Sequence, residues 1–287
     1  AYLYYEKTRD DSIFDDDFIR ILKNIVNLIA LEQDHSKSSY EFERPNPWKE
    51  TDSLRTGKRG TEVAYTGMSW TGFRPSDDSC LYQYLIPANA FAVVTLNKLS
   101  NCLIDAKKDK QLSEKMRNIA TEINQGIKDY GIINDPDFGE IFAYEVDGLG
   151  NYLFMDDANV PSLLSLPYLQ YIDRDNSLYK NTRKAILSNK NKNYFIGKAA
   201  DGIGSDHTPE DYIWHIALSI QMMTSTNEGE KNKILKYFEN THANTYLMHE
   251  GFDKDDPNKY TRDWFSWSNS MFCEAILNYL GLELIKN

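Results

Sequence analysis

The stretch Tyr65-Thr66-Gly67-Met68-Ser69-Trp70-Thr71-Gly72-Phe73-Arg74-Pro75-Ser76-Asp77-Asp78-Ser79-Cys80 decides how the rest of the chain is read. Gly67, Gly72 and Pro75 keep its backbone irregular, and the residues after Asp78 turn apolar at helical spacing. It reads as a loop feeding a helix. Asp77 and Asp78 then fall in the first turn, where backbone N–H groups and the helix dipole stabilise an anion. Trp70 and Phe73 offer aromatic faces, and Arg74 offers a fixed cation with forked donors. These are the residue types a sugar site uses. A helix cap followed by core aromatics gives the same pattern, so this stretch alone leaves both readings open.

Upstream, Asp15 to Asp34 reads as an amphipathic helix with Phe18, Leu22, Ile25, Val26 and Ile29 on one face. Asp15, Asp16 and Asp17 sit in its first turn. Ser36 to Thr66 is a long polar connection, the kind that is often functional beside a cleft. Downstream, the run from Pro75 continues helically to Leu99 with a break near Pro87. Leu112 to Tyr130 follows as a helix closed by Gly131.

A second polar cluster, Met155-Asp156-Asp157-Ala158-Asn159, precedes Pro161, which is placed to start a helix through Leu163, Leu164 and Leu166. Tyr194 to Gly197 could form a strand. Thr208 and Pro209 read as N-cap and first residue of a helix carrying Trp214, Ile216, Leu218 and Met222. Helices are also expected over Leu178–Ser188, Glu228–Ala243 and Asn269–Leu282. His249-Glu250 forms a third polar cluster among apolar neighbours. It is not HExxH, so a zinc protease is excluded. The expectation is about eight helices with at most two short hairpins, and no βαβ alternation.

Composition narrows the function. Lys plus Arg is 32 against 43 Asp plus Glu, a net charge of -11 with no basic stripe. Nucleic acid and anionic membrane are poor partners for such a surface. No run is long enough to span a bilayer. Cys80, Cys102 and Cys273 fit neither a disulfide framework nor a CxxC metal site, and each reads as a small buried hydrophobe. Gly202 and Gly204 are too few for a phosphate loop.

Four blocks give the chain a family likeness. They are TGMSWTGFRPSDDSCLYQYLIPANAFAVV (Thr66 to Val94), DGLGNYLFMDDANVPSLLSLPYL (Asp147 to Leu169), DGIGSDHTPEDYIWHIALSIQMMTS (Asp201 to Ser225) and THANTYLMHEGFDKDDPNKYTRDWFSWSNSMF (Thr241 to Phe272). In this order they resemble glycoside hydrolase family 125, the exo-α-1,6-mannosidases. The resemblance implies an (α/α)6 barrel, here one catalytic domain over residues 1–287 that lacks the family's N-terminal helices. It implies no metal and no cofactor. The implied partner is an oligosaccharide with terminal α-1,6-linked mannose, of N-glycan or mannan type. The oligomeric state is unspecified.

Inverting hydrolysis needs one carboxyl to protonate the leaving oxygen and another to deprotonate a water, roughly 6.5–9.5 Å apart. The family pattern places the acid at Asp77 and the base at Glu250, with burial expected to help Asp77 hold its proton. Trp70, Trp214 and Trp267 become candidates to wall the sugar. Arg74, Asp78, Asp156, Asp157, Asn159, His207 and His249 become candidates to bind or flank its hydroxyls. Two other readings remain: a non-catalytic carbohydrate-binding or structural fragment, and an inverting (α/α)6 glycosidase for another sugar.

Overall fold

Asp15 stands just outside the first long helix rather than in its first turn: it is the N-cap, its side chain accepting the N–H of Phe18 at 2.8 Å. The computed structural model describes residues 1–282. It divides into two compact units. The first holds Ala1–Gly72, Ser79–Ile132 and Glu145–Leu153; the second holds Phe73–Asp78, Ile133–Tyr144 and the chain from Phe154 onward.

The first unit contains α1 (Tyr2–Thr8), α2 (Asp16–Glu32), the single turn α3 (Arg55–Lys58), α4 (Ile86–Asp105) and α5 (Lys110–Tyr130). α4 and α5 pack together, burying Leu96, Leu99 and Leu103 on one and Met116, Ile119 and Ile123 on the other. A Cβ at Gly126 of α5 would collide with the Thr66 carbonyl and Met68. Glycine there lets the backbone around Thr66 lie against α5. On α2, Leu22 and Val26 are buried but Ile21, Ile25 and Leu28 are about half exposed. Ile25 therefore leaves the face that periodicity assigned it.

Pro87 marks a beginning rather than a break. It lies in the first turn of α4, where its missing N–H leaves no bond unmade. The residues just before α4 form β1 (Tyr84–Leu85). After the hairpin strands β2 (Ile132–Asp135) and β3 (Gly139–Phe142) come β4 (Glu145–Val146) and β5 (Tyr152–Leu153), which join β1 in a small sheet of order β1-β4-β5.

In the second unit, α6 (Ser177–Ile186) packs on β3. β6 (Tyr194–Ile196) pairs with β7 (Asp201–Ile203), bearing out the strand read there. Then come β8 (Tyr212–Ile213), α7 (His215–Met223), α8 (Glu228–Thr241), β9 (Gly251–Asp253), β10 (Tyr260–Thr261) and α9 (Ser266–Tyr279). Every residue of α7 is buried, and it packs against α8 and α9.

The sequence underestimates the strands. The described residues hold two three-stranded sheets and two two-stranded pairs, built from strands too short to display alternation. Two helix starts also move. Residues 161–172 form turns, because Asp156 takes the N–H groups of Leu163 and Leu164. After Pro209 the chain first enters β8, so the helix begins only at His215. Cys80 and Cys102 are buried as expected, whereas Cys273 is exposed.

Candidate active site

Antiparallel pairing sets Thr261 against Gly251 and Ile213 against Phe252. Extending each register by one residue brings Arg262 beside Glu250 and Trp214 beside Gly251. One end of the β10-β9-β8 sheet thus presents a cation, a carboxylate and an indole together. A Cβ at Gly251 would stand 3.2 Å from the Trp214 ring, so glycine admits the indole. The Trp214 Nε1–H donates to Thr208 Oγ1 at 2.9 Å, which fixes the ring plane. Arg262 Nε donates to Glu250 Oε1 at 2.8 Å.

The turn Arg74–Asp78 supplies the second carboxyl. The Asp77 N–H donates to the Arg74 carbonyl at 3.0 Å, and the Arg74 N–H to the Asp78 carbonyl at 2.8 Å. Asp77 itself adopts φ 69°, a left-handed conformation that non-glycine residues rarely hold. This turn is not a helix start, since α4 begins at Ile86. The helix dipole expected at Asp77 and Asp78 is therefore absent there.

Asp77 and Glu250 line one cavity of 180 Å³, together with Asn159, His207, Trp214 and Trp267 from the candidate set. Pro75, Ser76, Arg262 and Phe265 complete the lining. Glu250 is 6% exposed, while Asp77 is exposed to solvent. The burial expected for Asp77 is not supplied. A larger depression lined by Tyr171, Asp173, Arg174 and Asp175 has no comparable pair, because its two carboxylates sit on open surface and Asp175 is bound to Lys180 at 2.7 Å.

The other candidates do not line the cavity, and their contacts explain why. Asp78 accepts the Ser76 hydroxyl at 3.0 Å, with His207 Nδ1 3.9 Å away. Arg74 is buried, ion-paired to Asp206 at 3.3 Å and seated over the Tyr144 ring. Asp157 accepts both the backbone N–H and the amide of Asn159, at 3.0 and 2.7 Å, and the Ser205 hydroxyl at 2.8 Å. Burial raises its pKa, against the pull of those bonds and of the Arg74 charge. Asp156 accepts the N–H of Leu163 on one oxygen and of Leu164 on the other. Burial pushes it up to about 8 despite them.

His249 is fully buried. A carbonyl can only accept, so Nδ1 carries the proton and donates to the Arg262 carbonyl at 3.0 Å. Nε2 lies 3.2 Å from the Thr245 hydroxyl, and the ring stacks on Tyr260. Trp70 lies in the first unit, stacked on His35 with ring centroids 3.7 Å apart. Adjacent polar residues such as His249 and Glu250 leave the chain on different sides, which a motif string does not display. Arg262 and Phe265 were missed as site residues. Their signal was the Arg262-to-Trp267 aromatic run, readable only once the hairpin register was known.

Paired carboxyl groups in an aromatic-walled cavity on a helical scaffold are the equipment of a glycosidase. The chain belongs to the metal-independent α-mannosidases of glycoside hydrolase family 125, whose model matches residues 1–277. It is 43% identical to a solved Streptococcus pneumoniae protein described as a metal-independent α-mannosidase, in a non-productive complex with α-1,6-mannobiose. That likeness covers 99% of this chain and 67% of the other, with a TM-score of 0.96. It places the chain in an (α/α)6-type helical fold. The Meiotically up-regulated gene 157 protein of Schizosaccharomyces pombe is 40% identical over 291 residues, covering 98% of this chain. The chain spans 57% of that relative's length. A bacterial glucoamylase complexed with acarbose shares the fold alone, at 14% identity and a TM-score of 0.54, over 70% of this chain and 34% of its own.

Proposed function

We propose that the protein is an exo-acting α-mannosidase that hydrolyses terminal α-1,6-linked mannose with inversion. The observation that carries this is the shared cavity of Asp77 and Glu250, in a chain of this family. Asp77, at the exposed mouth, protonates the departing glycosidic oxygen. Glu250, deeper and held by Arg262, takes a proton from the water that attacks the opposite face of the sugar. A bound sugar covering the mouth would desolvate Asp77.

Trp214, Trp267 and Phe265 wall the ring, and Asn159 and His207 bond its hydroxyls. From behind, Asp157 holds Asn159, Asp78 stands 3.9 Å from His207, the Arg74 carbonyl holds the Asp77 N–H, and His249 holds the Arg262 carbonyl. A cavity this small suits one terminal unit. The linkage is suggested by the α-1,6-mannobiose bound in the S. pneumoniae relative, and an N-glycan source by the processing of N-linked glycans with which that relative is described. The mechanism needs no metal, in keeping with the family description. The scaffold is read as a portion of an (α/α)6 barrel. The apolar stripe Ile21, Ile25 and Leu28, left exposed on α2, supports that reading.

The test is incubation with α-1,6-mannobiose, with the first-formed anomer followed by NMR. Early release of β-mannose supports the proposal. Release of α-mannose overturns inversion. Binding without release favours the non-catalytic reading, and turnover of α-glucosides alone favours another sugar.

A further inference from the structure

We infer that Arg262 is a positioning residue for Glu250, fixing one carboxylate oxygen and leaving the other to face the attacking water. The inference rests on Glu250 acting as the base. Arg262 Nε holds Oε1 at 2.8 Å, and among the described residues no donor is bonded to Oε2. A carboxylate tied at one oxygen cannot swing about its terminal bond, so Oε2 keeps a constant bearing on the water.

Three restraints act on this arginine, although its side chain is 57% exposed. Its backbone holds φ 56°, in the left-handed region. Its carbonyl accepts the His249 Nδ1–H at 3.0 Å. Its guanidinium carbon lies 5.6 Å from the centre of the Phe265 ring. A surface cation serving solubility needs none of these. Strained backbone held in place by its surroundings marks positions where geometry is used. His249 therefore works through Arg262: its ring clamps the arginine backbone, and the arginine aims the carboxylate.

Arg262→Gly tests this in the full-length protein, because glycine adopts this φ without strain and the fold is kept. Thermal unfolding verifies that. On α-1,6-mannobiose, kcat is expected to fall about 10–100-fold, the scale of a small misplacement of a reacting group. KM should change little. Added guanidinium ion should restore part of kcat, while sodium chloride at equal ionic strength should not. Arg262→Lys, which keeps the charge but not the Nε geometry, should stay impaired. An unchanged kcat, a loss confined to KM, a loss that guanidinium does not relieve, or full activity in the lysine variant would each overturn the inference. Glu250→Gln is the control. If it is inactive while Arg262→Gly turns over normally, only this inference falls; if it is active, the assignment of Glu250 falls as well.

Discussion

His215 Nδ1 lies 3.0 Å from both the backbone nitrogen and the carbonyl oxygen of His249, tying the first residue of α7 to the residue before Glu250. The tautomer follows from the partners. The Thr241 hydroxyl spends its proton on the Tyr237 carbonyl at 2.7 Å. His215 Nε2, 3.0 Å from that hydroxyl, must therefore donate to it. Nδ1 is then left to accept the His249 N–H, while the His249 carbonyl takes its proton from the Ser268 hydroxyl at 2.8 Å, and the ring is neutral.

Burial pushes the His215 pKa from 6.5 down to about 3. Between those values the unfolded chain binds a proton that the folded chain refuses. The histidine's contribution is therefore full above pH 6.5 and is lost as pH falls toward 3, by about 1.4 kcal/mol per pH unit. His215→Gln keeps a donor and an acceptor but does not titrate. Urea unfolding of both proteins from pH 7 to pH 4 should show the parent losing stability relative to the variant at that slope. A difference independent of pH would contradict the assignment.

Asp156 gives a second prediction. Its two oxygens each accept a backbone N–H, at 2.8 and 2.9 Å. Asparagine has nearly the same shape but can accept on one side only, so its amide nitrogen would face an N–H. Asp156→Asn should lower unfolding free energy by about 1–3 kcal/mol. A variant as stable as the parent in denaturant titration would show that the turn at Leu163 and Leu164 does not depend on this carboxyl group.

Trp70 and Trp267 separate a packing role from a binding one. Trp70 is 6% exposed and stacked on His35, so Trp70→Leu should cost about 3 kcal/mol of stability with KM unchanged. Trp267 lines the cavity, so Trp267→Ala should raise KM by about tenfold or more. Melting curves and initial rates check both. A KM effect at Trp70, or none at Trp267, would reverse the assignment.

The sequence made the long elements legible, because caps and apolar spacing act locally. The acidic start of α2 and Gly131 at the end of α5 lie where local chemistry places them, while α5 begins at Lys110, ahead of the Leu112 that periodicity gives, because Asp109 caps it. The strands beside the cavity run two or three residues and owe their existence to partners distant in sequence. Local pattern cannot announce them. The same limit governed the site. Asp77, Asn159, His207, Trp214, Glu250 and Trp267 share the cavity, yet the motifs that carried them also carried Asp156, Asp157 and His249, whose hydrogen bonds turn them to other partners. Arg262 became visible only through the register that sets Thr261 against Gly251.

The most direct measurement compares Asp77→Asn and Glu250→Gln on two substrates, α-1,6-mannobiose and an aryl α-mannoside whose phenol leaves without protonation. Both variants should lose about 10²–10⁴-fold in kcat on the disaccharide. Asp77→Asn should recover most of its rate on the aryl mannoside, whereas Glu250→Gln should remain inactive on both. Parent-like turnover of the disaccharide by either variant, or equal rescue of the two by the better leaving group, would contradict the pairing of Asp77 as acid with Glu250 as base.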